Sequence, residues 1–317
     1  MACRGWPRTA LAIWLVALAS PWGCAGETDE GDDSPSGGSG GEAGTAGAGG
    51  AAGGSGGQGG VGGSGATSTF DIRFDYRFDS KGLFDDPARR AALEAAGAQW
   101  EAVLADEFAD VPAGTELLSR DPEDPGTAGQ VFTIDYAIDD LVVFVGFAQL
   151  DGSSGMLASS THSAAIGSVS DPSLSAELSD RYHGADFEPW TGWIAFDEDE
   201  PWFFDATPDD ATDIPGSSPD FISVAAHELG HVLGFGASDA FVSLVDDSNA
   251  TFGGAAAAAS YGGVVPLSSD LMHIEASIRV DGRRPLMDPS DAAGERSIIT
   301  DLDMAFMEDV GYAPWGS

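Results

Sequence analysis

Apolar and polar residues alternate without a break over residues 70–78 (FDIRFDYRF). Because successive side chains of a strand face opposite sides of a sheet, this pattern predicts a half-buried β-strand. Residues 87–108 instead repeat apolar positions at helical spacing and predict a long helix packed on the sheet. Apolar runs within 131–150 and over 191–197 predict further strands. The patterning therefore predicts an α/β (α+β) fold.

Residues 151–190 are rich in Ser, Gly, Ala and Asp and show neither period. We predict loop and short segments there. The region contains His162 and His183. Both are expected to be surface or hydrogen-bonding histidines, not metal ligands.

A second helix is predicted to begin beside Pro219, which is flanked by Ser218 and Asp220. This arrangement suits a capped start with proline in the first turn. Gly234 and Gly236 are expected to end the helix, because the chain must turn sharply there. One face carries the apolar residues that we expect in the core: Ile222, Ala226, Leu229 and Leu233.

Residues 1–24 are predicted to be an export signal. Arg4 and Arg8 supply a positive start, and residues 9–19 form an apolar run too short to span a bilayer. The sequence up to Cys24 resembles a bacterial lipoprotein signal, in which Cys24 would become the acylated first residue. Plain secretion is the alternative.

Residues 25–68 consist mainly of Gly, Ser and Ala with a few acids, and predict a disordered linker. The folded domain is then expected over 69–317. Both cysteines, Cys3 and Cys24, lie in the leader, so this domain has no disulfide framework. We expect the protein outside the cell or at its surface, anchored by lipid in a bacterial envelope or else secreted.

The net charge narrows the possible partners. The chain has 52 acidic and 13 basic residues and a formal charge of −39. Such a chain does not bind nucleic acid by neutralising phosphates, and an anionic membrane surface repels it. Membrane contact is therefore expected only through the N-terminal lipid.

The most informative motif is His227-Glu228-Leu229-Gly230-His231. Histidines four residues apart share one face of a helix and can bind one metal ion. A catalytic zinc needs three protein ligands and an open position for water. Glu228 is placed to take a proton from that water and return it to the leaving amine. These roles predict peptide hydrolysis without a covalent intermediate.

Residues 227–236 (HELGHVLGFG) resemble the active-site helix of the metzincin metalloendopeptidases, including Gly234. In that family the motif HExxHxxG is followed two residues later by a third histidine. Here that position is Ala237. The resemblance implies a metzincin-like zinc protease domain, with a twisted, mostly parallel sheet, an active-site helix and an irregular C-terminal subdomain. It leaves the third ligand to be found elsewhere.

His273 precedes Pro285-Leu286-Met287-Asp288-Pro289, which resembles the Met-turn of metzincins. The order of HExxHxxG, a long insert, a histidine and a Met-turn is similar to the leishmanolysin-like branch. That resemblance implies that His273 is the third zinc ligand and that Met287 packs beneath the metal without binding it. Asp239 is the alternative ligand, because some metzincins use Asp near that point.

Residues 193–200 (WIAFDEDE) resemble a matrixin segment that binds calcium, here through Asp197 and Glu200. The matrixin histidine for a second, structural zinc would fall at Ala195, so a second zinc is not expected. A solvated acidic loop is the alternative interpretation. We also expect strand 191–197 to offer its edge to an extended substrate.

The predicted function is a zinc endopeptidase acting on extracellular proteins, with one catalytic Zn²⁺ and a possible Ca²⁺. Two alternatives stay open. One is a non-catalytic acidic surface module for adhesion or ion binding. The other is a zinc hydrolase of a non-peptide amide.

Overall fold

The structure is a computed structural model that describes residues 22–25, 70–151, 155–163, 171–290 and 294–314. Of residues 22–25 only the backbone is described. Most of the predicted signal peptide and linker thus lies outside the described residues. Within the described ranges, no helix combines the length and apolar character needed to cross a membrane.

The longer strands are β1 (Trp22–Ala25), β2 (Ile72–Asp75), β3 (Glu116–Ser119), β4 (Gln130–Thr133), β5 (Leu141–Ala148), β6 (Met156–His162) and β7 (Thr191–Asp197). Three two-residue strands follow, namely β8 (Val245–Asp246), β9 (Thr251–Phe252) and β10 (Val265–Pro266). The α-helices are α1 (Pro87–Glu101), α2 (Pro172–Asp180), α3 (Phe221–Val232), α4 (Asp239–Val242), α5 (Ala255–Tyr261) and α6 (Asp301–Asp309).

The main sheet has the strand order β1-β6-β7-β5-β2. Strands β2, β5 and β7 are parallel, whereas β6 and the short β1 run antiparallel to their neighbours. All residues of β5 and β7 are buried, as expected for strands covered on both faces. Helix α3 contacts α1, β6 and β7, and the Trp100 indole donates to the Ala226 carbonyl at 2.8 Å. The predicted α/β fold with a mostly parallel sheet is confirmed.

Two elements are shorter than predicted. The strand predicted over 70–78 covers only β2, and the helix predicted over 87–108 ends at Glu101. The chain leaves the helix there because its next residues pair with the C-terminal segment. The Ala105 N–H donates to the Ala313 carbonyl at 2.9 Å.

Residues 151–190, predicted as loop and short segments, contain the seven-residue strand β6 and the nine-residue helix α2, which the sequence pattern did not locate. Strand β6 (MLASSTH) has no apolar alternation, and its Ser159 and Ser160 are buried. These small residues allow α3 to pack closely on the strand, where the Ser160 hydroxyl donates to the Glu228 carbonyl at 3.0 Å. Tertiary contacts, not patterning, therefore define this strand.

The two histidines of this region differ. His162, predicted to be a surface or hydrogen-bonding histidine, is half-buried, packs its ring 4.9 Å from the Phe187 ring, centroid to centroid, and hydrogen-bonds with the backbone of His231. Burial lowers the pKa of His162 to about 4. His183 is exposed and hydrogen-bonded to Asp239, as predicted.

Strand β7 does not offer a free edge, contrary to the expectation for residues 191–197. It lies between β5 and β6, which pair with both of its edges. The other edge of β6 pairs with the backbone of residues 22–25.

The C-terminal part begins at Gly234, whose φ of 107° is unfavourable for residues with a side chain. A Cβ at this position would also lie 2.5 Å from the Phe187 ring. Beyond this turn, a three-stranded sheet of order β10-β9-β8 packs with α5 and α6. Phe252 stacks on Phe306 with ring centroids 4.2 Å apart. An aromatic cluster thus stabilises this otherwise irregular region.

Candidate metal centre

Helix α3 carries the HExxH motif. The helix is capped by Asp220, whose carboxylate accepts from Ser223 N–H at 3.1 Å, so Pro219 precedes the cap and does not occupy the first turn as predicted. The side chains of the motif are almost fully buried, since His227, Glu228 and His231 are 3%, 0% and 5% exposed.

Three histidines converge beside this helix. The Nε2 atoms of His227 and His231 lie 3.2 Å apart, and those of His231 and His273 lie 3.1 Å apart. His273 is 3% exposed. Across the described ranges, these residues form the one group of three or more side chains that could hold a metal ion.

The hydrogen bonds of the rings fix their protonation. Each Nδ1 faces an oxygen, namely the Leu286 carbonyl at 2.7 Å for His227, the Phe235 carbonyl at 3.0 Å for His231 and Asp270 Oδ2 at 2.8 Å for His273. These oxygens only accept, so each neutral ring carries its proton on Nδ1. Each Nε2 then presents a lone pair to the other two rings. Imidazole lone pairs gathered in this way suit a bound cation.

The geometry of the three nitrogens fits zinc. Four-coordinate Zn–N bonds of about 2.0–2.1 Å place tetrahedral nitrogens roughly 3.3–3.4 Å apart, close to the 3.2 and 3.1 Å observed between His231 and each of the other two rings. Burial and the neighbouring imidazoles hold the pKa of His227 well below its usual value. Burial and His273 lower the pKa of His231 to about 3. Both rings therefore remain neutral near pH 7, as metal ligands must be.

Asp270 orients His273 and was not singled out from the sequence. Although burial opposes ionisation, the hydrogen bond from His273 lowers the pKa of the Asp270 carboxyl well below its usual value. The Met272 N–H also donates to this carboxylate at 2.8 Å. A carboxylate that accepts from the outer nitrogen of a metal-binding imidazole fixes the ring and increases its basicity. An acid three residues before His273 was the available sequence signal.

Asp303 anchors the segment that contains Met287, and it too was missed. Its carboxylate accepts from the N–H groups of Leu286 at 2.9 Å, Met287 at 3.0 Å and Thr300 at 2.8 Å. Because the Leu286 carbonyl in turn accepts from His227, Asp303 positions a ring of the triad through one peptide unit. The signal was the Thr300-x-x-Asp303 capping box that opens α6.

Met287 lies beneath the active-site helix. It is fully buried, and its carbonyl accepts from the N–H of Ile274, the residue after His273, at 2.9 Å. A Cβ added to Gly230 would lie 2.5 Å from Met287 Sδ and 3.2 Å from the Trp100 ring. The glycine between the two histidines of α3 therefore leaves room for the Met287 side chain.

Gly230→Ala is expected to destabilise the protein by about 1–2 kcal/mol, although alanine is normally favoured in helices. The reason is the overlap of the new methyl group with Met287 Sδ. Met287→Ala should cost about 2–4 kcal/mol by opening a cavity. The double variant should be more stable than the sum of the two effects, because the methyl group then occupies that cavity. Urea unfolding of the four proteins measures this coupling, and simple additivity would contradict the contact.

Asp239, the alternative third ligand, lies away from the triad. It is the first residue of α4, its side chain is 67% exposed, and it accepts a hydrogen bond from His183 at 2.9 Å. The structure thus gathers His273, not Asp239, with His227 and His231.

The carboxylates proposed for calcium lie near one another without forming such a group. Asp197 is fully buried and accepts from the N–H of Asp199 at 3.0 Å and of Asp151 at 3.4 Å. Among the described residues, none hydrogen-bonds the buried Glu200 Oε1. Burial and the neighbouring acids, Asp197 first among them, raise the pKa of Glu200. Calcium at Asp197 and Glu200 stays a prediction.

Residues 165–248 match the family model Peptidase_M10, described as Matrixin. The match covers about a quarter of the chain and includes His227, Glu228 and His231, whereas His273 and Met287 lie beyond it. Comparison with curated proteins gave no match. The Matrixin match and the histidine triad support a zinc metallopeptidase of the metzincin type.

Proposed function

We propose that the protein is a zinc-dependent endopeptidase that hydrolyses peptide bonds of extracellular proteins, with Glu228 as general base. One observation carries the proposal: the Nε2 atoms of His227 and His273 lie 3.2 and 3.1 Å from that of His231, and Glu228 is on the same buried helix as His227 and His231. His227, His231 and His273 would hold the ion. The motif order also supports a place near the leishmanolysin-like branch.

Zinc bound at this site would acidify a water molecule and polarise the scissile carbonyl. The protein supplies the proton transfers. Glu228 follows His227 directly in α3 and is fully enclosed. Its carboxylate accepts a proton from the attacking water and delivers it to the leaving amine, so one residue acts first as base and then as acid. No nucleophilic side chain is required, and no covalent intermediate forms.

Strand β6 provides a path for an extended substrate. It packs against α3, and its outer edge pairs antiparallel with the backbone of residues 22–25, with Cys24 opposite Ala158. That pairing supports the proposal that this edge can bind an extended peptide. Removal of the predicted signal peptide would leave the edge free for substrate. A chain that lies along such an edge can be cut internally, which favours an endopeptidase.

The proposed location of the enzyme is based on its N-terminal sequence. The predicted signal over 1–24 supports export, and Cys24 supports acylation at the cell surface. Glycine-rich residues 25–68 would then act as a spacer between the lipid and the catalytic domain. Labelling with a radioactive fatty acid, compared between the protein and its Cys24→Ala variant, tests the anchor directly.

Cleavage of casein or gelatin tests the proposed function. We expect cleavage that a chelator abolishes and that added zinc restores, because the triad presents only nitrogen ligands, which suit zinc and not calcium. Restoration by calcium alone would contradict the assigned metal. Bound zinc without cleavage of any protein or amide would support a non-catalytic surface module. Hydrolysis restricted to small amides would support the non-peptide alternative.

A further inference from the structure

A cavity of about 830 Å³ opens on the side of the molecule where α3 begins. Its walls come from segments 208–211, 279–284 and 294–298. Four of the lining residues are arginines, namely Arg279, Arg283, Arg284 and Arg296. The volume suits a ligand the size of one or two side chains with their water.

The charge of this cavity contrasts with that of the whole chain. The protein has only 13 basic residues and a net charge of −39, yet four of its arginines line one cavity. The acidic residues in the same lining are Asp209 and Glu295. An excess of cations inside a concave wall focuses a local positive potential, which attracts an anion.

Most of these arginines are held in place. Arg296 donates to Asp205 at 2.7 Å and to Asp220 at 3.0 Å, and both carboxylates are buried. Arg284 donates to the Ser290 hydroxyl at 2.9 Å. Arg279 donates to the Ala276 carbonyl at 2.7 Å. The wall is therefore pre-organised, and Arg296 is largely neutralised by its partners.

Arg283 differs from the other three. It ends a tight turn in which its N–H and carbonyl pair with Val280 at 2.9 Å, with positive φ at Asp281 and Gly282. Such a turn holds the backbone of Arg283 in a fixed position. The side chain is exposed, and within the described ranges its guanidinium makes no hydrogen bond or ion pair. Its planar fork is available for bidentate binding of a carboxylate.

The cavity adjoins the N-terminus of α3, the helix that carries two of the three clustered histidines. Arg296 binds Asp220, the N-cap of α3, and His227 follows seven residues later, a rise of about 10 Å along the helix. An extended peptide covers roughly 3.3 Å per residue. A substrate residue about three positions from the cleaved bond therefore spans the separation along this axis.

We propose that this arginine cavity binds the carboxylate of an acidic residue in the peptide substrate, about three positions from the scissile bond. Arg283 makes the direct contact and Arg284 adds positive charge beside it, whereas Arg279 is paired with the buried Asp288 carboxylate at 3.8 Å. This inference rests on the proposed peptidase function and defines its substrate class as peptides with an acidic residue at a fixed distance from the cleavage site.

The test uses a peptide series in which one Glu is moved along an otherwise neutral sequence, each paired with the Gln version. For the protein we expect kcat/KM to favour Glu over Gln on the order of tenfold at one position. Arg283→Gln should reduce that ratio to about one, and Arg283→Lys should retain part of it. Arg73→Gln is the matched control. Arg73 lies on β2, the edge strand at the other end of the main sheet from β1, and its guanidinium lies over the Tyr136 ring.

Binding to the Glu228→Gln variant, followed by fluorescence anisotropy, separates the cavity from catalysis. If the peptides are cleaved but Glu and Gln versions react equally, the cavity proposal is wrong and the peptidase stands. Suppose instead that the unaltered protein cleaves no peptide, but the Glu peptide binds more tightly than the Gln peptide and Arg283→Gln removes that difference. The cavity proposal is then supported and the peptidase proposal is wrong. If Arg73→Gln lowers the Glu-to-Gln ratio of kcat/KM as much as Arg283→Gln does, the preference arises from net charge, and the assignment of Arg283 is wrong.

Discussion

Glu228→Gln is expected to lower kcat/KM for peptide hydrolysis by about a thousandfold while one zinc ion per chain stays bound. Glutamine has the same shape and fills the fully buried position, but it does not accept a proton from water. The three imidazoles are unaltered, so metal affinity is preserved. Steady-state kinetics with a quenched fluorescent peptide and metal analysis of the same sample measure both quantities.

Glu94→Gln is the matched control, because Glu94 is exposed on α1. It should leave both kinetics and zinc content unchanged. A Glu228→Gln enzyme with more than about a tenth of the original kcat/KM would show that another group removes the proton. Loss of zinc in the same variant would instead mean that Glu228 helps to hold the ion.

His273→Ala is expected to weaken zinc binding by well over a hundredfold and to abolish cleavage. Removing a carboxylate that only orients a ligand already costs about 10–100-fold in metal affinity, and the loss of the ligand itself costs more. The melting temperature measured with excess zinc should fall as well, because bound metal no longer stabilises the folded state. Competition with a chromophoric chelator gives the affinity.

Two further variants complete this series. Asp270→Asn should weaken zinc binding by about 10–100-fold, since His273 keeps its position but loses its charged partner. Asp239→Ala should leave the affinity unchanged, because Asp239 lies with His183 outside the triad. If Asp239→Ala removes zinc and His273→Ala does not, Asp239 is the third ligand.

Local patterns in the sequence predicted the elements whose contacts are also local. The spacing of His227 and His231 sets two rings on one helix, and Gly234 lies just beyond its end as predicted, whereas its start is capped by Asp220, after Pro219. Strand β6 could not be found in this way. Its serines and alanine carry no alternation, and they are buried because β7 and α3 cover them from different parts of the chain.

The contacts of the site became less predictable as the number of residues between the partners increased. His273 came from the resemblance of motif order, not from any physical pattern, since it meets His231 across 42 residues. Asp270 and Asp303 each had a local signal, but their partners became visible only in the fold. The arginine cavity joins three separate segments. No periodic pattern in the sequence indicates that these three segments lie together.

The separation between His231 and His273 has a consequence for the lifetime of the protein. An ion bound by both would cross-link a loop of 42 residues, worth about 4 kcal/mol by the chain entropy that governs disulfides. The two cysteines of the chain lie at positions 3 and 24, so no disulfide spans this region. A bound metal ion would act as the cross-link instead, and its loss would make the loop more susceptible to proteolysis.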